Sequence, residues 1–214
     1  MKKTIINETQ HQPIDLDKDA SGKLITAALP LFAMKGYAAV TVRELAEAAN
    51  VNSALISYYY GGKENLYEAV LESQAAFIGR VVDHLIAAKL SPVGSIQLYA
   101  KEIVAVHQQC PYLFRLMSGE LVSPTKCLEK VVKKQITRVF AFFRQAFQQG
   151  VTLGDFRSDL DIEYAIVSLA GILNFYFMVR PLTRQMLRPN VDHDAQYVAQ
   201  AVNIYLEGVI NHDR

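Results

Sequence analysis

Ala38-Ala39-Val40-Thr41-Val42-Arg43-Glu44-Leu45-Ala46-Glu47-Ala48-Ala49-Asn50-Val51-Asn52-Ser53-Ala54-Leu55-Ile56-Ser57-Tyr58-Tyr59-Tyr60-Gly61-Gly62-Lys63-Glu64-Asn65-Leu66 reads as two short helices joined by a tight turn, with a third helix following at once. Val42, Leu45, Ala46 and Ala49 keep helical spacing in the first. Thr41 with Glu44 three residues later forms a capping-box pattern. Asn50-Val51-Asn52 makes the turn, and the next helix spans about Ser53 to Tyr59. A helix that short is unstable alone in water. Its surface residues, Ser53, Ala54, Ser57, Tyr58 and Tyr59, are small or hydroxylated, and a short helix of that kind braced by neighbours suits the DNA major groove.

Outward from this stretch, the predicted elements are all helical. Residues 1–18 are polar and aperiodic and read as a flexible arm. Helix 1 is expected from about Asp19 to Lys35, kinked by Pro30 and stopped by Gly36. The Gly61-Gly62 break opens a long helix from Lys63 to about Ala88. Further helices are expected over about Ser95–Gln109, Pro111–Leu121, Thr125–Gln149 with Gly150 as its stop, Asp161–Arg180 and Asp194–Asn211. The Asp161–Arg180 segment is apolar nearly all round, which predicts burial on every face. The expectation is therefore an all-α protein: an arm (1–18), a helix-turn-helix head (19–67) and a helical body (68–214) for ligand binding and dimerisation.

The 214 residues are about half hydrophobic, enough for a substantial core. No apolar run reaches the roughly 18 residues of a membrane span, and no membrane partner is expected. Met1-Lys2-Lys3 leads into the polar Asn7–Gln12, which is no secretory signal. Cys110 and Cys127 lack CxxC spacing and read as thiols of a reducing cytoplasm. His193 beside Asp192 and Asp194 has no partner at metal-ligand spacing, so neither metal nor cofactor is expected. Net charge is only +1, and residues 1–70 hold seven Lys or Arg against eight Asp or Glu. A nucleic-acid reading on that balance must rest on well-placed cations, helix N-termini and hydroxyls.

Residues 23–70 resemble the DNA-binding domain of the TetR family of transcriptional regulators. The resemblance runs through Ala27-Ala28-x-x-Leu31-Phe32-x-x-x-Gly36-Tyr37, Thr41-Val42-Arg43-Glu44-Leu45-Ala46, Val51 and Tyr58-Tyr59-Tyr60-Gly61-Gly62-Lys63-Glu64-x-Leu66. It implies a homodimer reading a palindromic operator in double-stranded DNA, a small-molecule inducer bound in the body, and release of DNA on binding. Carried over by position, Thr41 and Lys63 would hold phosphate. Arg43 would reach a base edge or phosphate, Ser53, Ala54 and Ser57 would face bases, and Tyr58 and Tyr59 would touch backbone or a thymine methyl. Asn50 replaces the usual Gly, Ser57 a frequent Tyr, and Tyr60 the usual Phe.

Each assignment has a plainer counterpart. Thr41 and Asn52 also read as helix caps that can double as anion sites. Arg43 also reads as the partner of Glu47 one turn on. Tyr60 reads as a core aromatic. For the inducer, the candidates are His107, Arg115, Phe143, Phe147, Asn174, Phe175 and Met178, against the alternative that the aromatics merely pack. For the dimer interface they are Ala165, Leu169, Ile172, Val198, Ala201, Val202, Tyr205 and Val209, against intramolecular core. An all-α enzyme or carrier is the competing class, but no nucleophile elbow, GxGxxG, P-loop or HExxH is found in the sequence. A regulator without an inducer, or an activator, stays open.

Overall fold

The computed structural model describes residues 16–187 and 192–212. The expected 1–18 arm lies outside the described residues except for its last three, which open the first helix. Nine α-helices follow in chain order among the described residues: α1 Leu16–Lys35, α2 Val42–Ala49, α3 Ala54–Tyr60, α4 Lys63–Ala88, α5 Pro92–Gln109, α6 Leu113–Val122, α7 Lys133–Leu153, α8 Ile162–Thr183 and α9 His193–Val209.

Local chemistry sets these limits. Thr41 accepts from the Glu44 amide at 3.2 Å, and the Glu44 carboxylate accepts from the Thr41 amide at 2.8 Å. Both halves of the capping box are thus made. Gly36 and Asn50 end α1 and α2 with φ of 78° and 53°. Asn is among the few non-glycine residues that tolerate that left-handed backbone. α1 continues through Pro30 to its expected end. Ser91 caps α5 and Pro92 occupies its first turn, so α5 starts three residues earlier than its apolar pattern indicates.

The largest departure is around α7. A π-helical turn, Leu128–Val132, precedes it, and the helix runs on to Leu153, where Gly154 (φ 77°) ends it. Gly150 is therefore not the stop. A Cβ there would lie 2.4 Å from Cδ2 of Phe156, so the position is glycine to admit that ring. Phe156 is 1% exposed and also forms an isolated antiparallel bridge with Ile210. Arg157 and Asn211 donate to the Val209 and Asp155 carbonyls at 3.0 Å, which ties the end of α9 to the α7–α8 connection.

Two apolar cores are strung along α4. The first joins Leu24, Ala28, Phe32, Leu45, Ile56, Leu66, Val70 and Ala75, and it also takes in Leu116, Cys127 and Val131 from α6 and the π turn. The second joins Val81 and Leu85 to α5, α7, α8 and α9. The expected boundary at residue 67 thus falls inside one unbroken helix, and the head's core extends beyond it into the body.

Candidate nucleic-acid interface and effector-binding residues

On the head, α3 is anchored by Ile56, fully buried, while Ser53, Ala54, Ser57 and Tyr58 are exposed. Tyr58 is 71% exposed and its ring meets Tyr59 edge-on at 4.9 Å. Tyr59 is half-buried. The Asn52 side-chain Oδ1 accepts from the Ala54 amide at 2.8 Å and stabilises the entry to α3. Thr41, exposed at the start of α2, lies in the same head. Arg43 donates to Glu47 at 2.7 Å, as its plainer reading held, yet its side chain remains 87% exposed. Exposed pairs of this kind are weak and yield to a better anion.

Two head residues have structural roles. The Tyr60 hydroxyl bonds Ser21 Oγ at 2.8 Å and donates to the Ser21 carbonyl at 3.0 Å. Lys63 turns inward. Its ammonium donates to the carbonyls of Tyr37 and Val40 at 3.0 and 2.9 Å and sits 4.3 Å from the centre of the Tyr37 ring. Two of its three N–H donors pin the α1–α2 loop to the start of α4, an internal role beside the phosphate contact expected of it.

The seven effector candidates do not converge on one site. His107 and Asn174 meet, with 3.4 Å between Nε2 and Oδ1. The imidazole stacks on Phe177 at 3.7 Å and is 8% exposed. Burial lowers its pKa to about 4, partly offset by Asn174. Asn174 also eases the burial of Tyr99, whose hydroxyl is pushed up to about 12. Phe143 and Phe147 are core residues at 1% and 0% exposure. Phe175 and Met178 face outward, because neighbours in a helix point about 100° apart. Arg115 points elsewhere than its neighbour Phe114, whose ring meets His107 at 5.7 Å; it lies at the head–body joint, where its Nη1 approaches Met34 Sδ. Among the described residues no cluster of three or more His, Cys, Asp or Glu could hold a metal.

The sequence profile described as "Bacterial regulatory proteins, tetR family" matches residues 24–70. That segment holds the capping box, the turn, α3 and the start of α4. Over that segment the chain is similar to the DNA-binding domain of the TetR family. Over 46 residues it is 50% identical to the probable HTH-type transcriptional regulator YttP of Bacillus subtilis, covering 22% of each chain. Over 155 residues it is 22% identical to the HTH-type transcriptional repressor NicS of Pseudomonas putida, covering 72% of this chain and 73% of that one. The chain spans between about a fifth and a half of the length of YttP and two other curated regulators that it matches. The solved ketosteroid transcriptional regulator KstR2 of Mycobacterium tuberculosis shares the fold, with a TM-score of 0.72 at 18% identity over 89% of this chain and 94% of that one.

The chain presents apolar surface on α8 and α9, as expected, but on different residues. Ala165, Leu169, Val198, Ala201, Val202, Tyr205 and Val209 are all buried within the subunit, and Ile172 packs against the same core. The Tyr205 hydroxyl donates to the Ala165 carbonyl at 2.7 Å across the α8–α9 seam. Those eight residues are intramolecular core. The outward stripe of α8 is Tyr164, Val167, Phe175, Met178 and Leu182, joined on α9 by Ile204, all more than half exposed. α8 is consequently not buried on every face, and by length and composition it is apolar enough to cross a membrane.

Two polar clusters escaped the sequence reading. Glu120, 1% exposed, accepts from the Tyr67 hydroxyl at 2.8 Å and from the Thr125 amide and hydroxyl at 3.1 and 3.0 Å. Asp194, 4% exposed, accepts from Tyr176 at 2.9 Å and Arg180 at 2.8 Å. For Glu120 the available signal was a lone carboxylate within an apolar helical period; Asp194, beside Asp192 in the first turn of α9, reads as an ordinary helix-start acid.

Proposed function

We propose that this chain is a homodimeric DNA-binding transcriptional repressor that leaves a palindromic operator when a small-molecule inducer binds. One observation carries the reading. The short α3 is anchored by buried Ile56 and offers Ser53, Ala54, Ser57 and Tyr58 to solvent. A braced helix with its N-terminal residues free can enter the major groove. Thr41, Arg43 and Asn52 supply hydroxyl, cation and helix entry beside it. Tyr59 contributes its exposed edge.

In this reading the dimer forms through the outward stripe of α8 and α9. Gly171 and Gly208 lie on that surface with open space where a side chain would stand, so two backbones can approach closely. A second copy covers Phe175 and Met178, which a lone subunit leaves to water. The two α3 helices then sit about 34–36 Å apart, one turn of duplex. An inducer that prefers a different spacing draws the population away from the DNA-competent state.

Selection of bound sequences from random duplex DNA tests this. The expected product is an inverted repeat with half-sites one helical turn apart. Ser57→Ala and Arg43→Ala are each expected to weaken operator binding about fivefold to a hundredfold, with Ser57→Ala also relaxing base preference. Operator affinity unchanged in both would remove the contact assignment.

A further inference from the structure

The head–body joint contains a cleft of about 710 Å³, within the usual range for small-molecule sites. Its walls come from the end of α1, the loop that follows it, the start of α4, and the segment from Arg115 to Lys126. Three cations and two carboxylates line it, and four of these charges have partners. Lys35 holds Glu44 at 2.7 Å, Lys126 lies 3.3 Å from Glu64, and Glu120 is occupied by Tyr67 and Thr125. Arg115 has no carboxylate among the described residues. Its contact is the thioether of Met34, a weak acceptor that leaves a guanidinium's forked donors available.

The opposite wall is apolar, with Ala33, Ala38 and the half-buried ring of Tyr37. Tyr37 stacks obliquely on Tyr67 at 4.9 Å, which makes that wall aromatic. Gly119 lies on the same lining. It lies inside α6, where glycine costs about 1 kcal/mol relative to alanine. No atom comes within 4 Å of the place its Cβ would take. Gly119 is itself exposed at the cleft's edge, so packing does not demand glycine there and a bulky side chain would have room beside the cleft.

We propose that this cleft is an effector site for an aromatic carboxylic acid, with Arg115 taking the carboxylate and the Tyr37 wall taking the ring. The assignment deepens the proposed function and rests on it for its regulatory meaning. The cleft lies where α6 meets α1, so an occupant wedges the body against the head.

The experiment titrates the full-length protein with fluorescent 1-naphthoate, alongside neutral 1-naphthamide. Saturable binding of one naphthoate per subunit is expected, with Kd below about 1 mM. Naphthamide is expected to bind at least tenfold more weakly. Arg115→Ala should weaken naphthoate binding at least tenfold, and Gly119→Phe should fill the space and abolish it, with helix content and unfolding midpoint retained. Binding that never saturates, equal affinity for acid and amide, or wild-type affinity in either variant overturns the proposal. Operator selection by the ligand-free protein separates the two claims. If no duplex is selected while naphthoate still binds through Arg115, the site stands and the regulator reading falls.

Discussion

At the scale of single residues, the structure redirects several side chains whose identity was plain in the sequence. Lys63 is the clearest case. Two carbonyls and an aromatic face hold its ammonium, so Lys63→Ala should destabilise the head by about 1–2 kcal/mol in urea unfolding, even without DNA. A lysine serving phosphate alone would leave stability unchanged. His107 gives a pH signature. Burial favours its neutral form and lowers the folded-state pKa to about 4, against 6.5 when solvated, with Asn174 and Asp194 opposing and Arg180 reinforcing. Between those values the unfolded chain binds more protons, so stability rises with pH through that window and is lost as pH falls through it. The full difference is about 3 kcal/mol. Stability measured from pH 7 to pH 4 should show this loss, and His107→Gln should flatten it.

At the scale of elements, patterns that depend on near neighbours were readable and those that depend on distant ones were not. The capping box at Thr41, the left-handed turn at Asn50 and the α4 start after Gly61-Gly62 are all local, and each appears where the spacing puts it. Gly150 looked identical to a helix stop, yet its reason is Phe156, a ring that arrives from beyond the helix. Gly150→Ala is expected to cost about 1–3 kcal/mol by forcing that ring aside. A thermal melt would detect it, and no change would mean that the ring relocates freely. The interface error has the same origin. On a helix apolar nearly all round, periodicity yields two stripes and does not say which one the subunit keeps. Ala165, Leu169 and Ile172 keep one of these periods, and the fold uses them internally. The effector candidates scattered because helical spacing finds apolar residues without revealing which helix each will face.

At the scale of the whole molecule, the outward stripe sets an expectation for assembly. Phe175→Glu with Met178→Glu places two charges on that surface while leaving the subunit's own core alone. Sedimentation should then show a folded monomer where the unaltered chain sediments as a dimer, with operator binding lost as well. A dimer that persists in this variant would place the contact elsewhere. The 26 residues of α4 have one more consequence, which is mechanical. A rod of that many residues is about 39 Å long. Pivoting it by some five degrees at its body end carries the far tip through roughly 3 Å. In the proposed dimer, with one lever per subunit swinging in opposite senses, a rotation of that size would be enough to put the two heads out of step with a duplex.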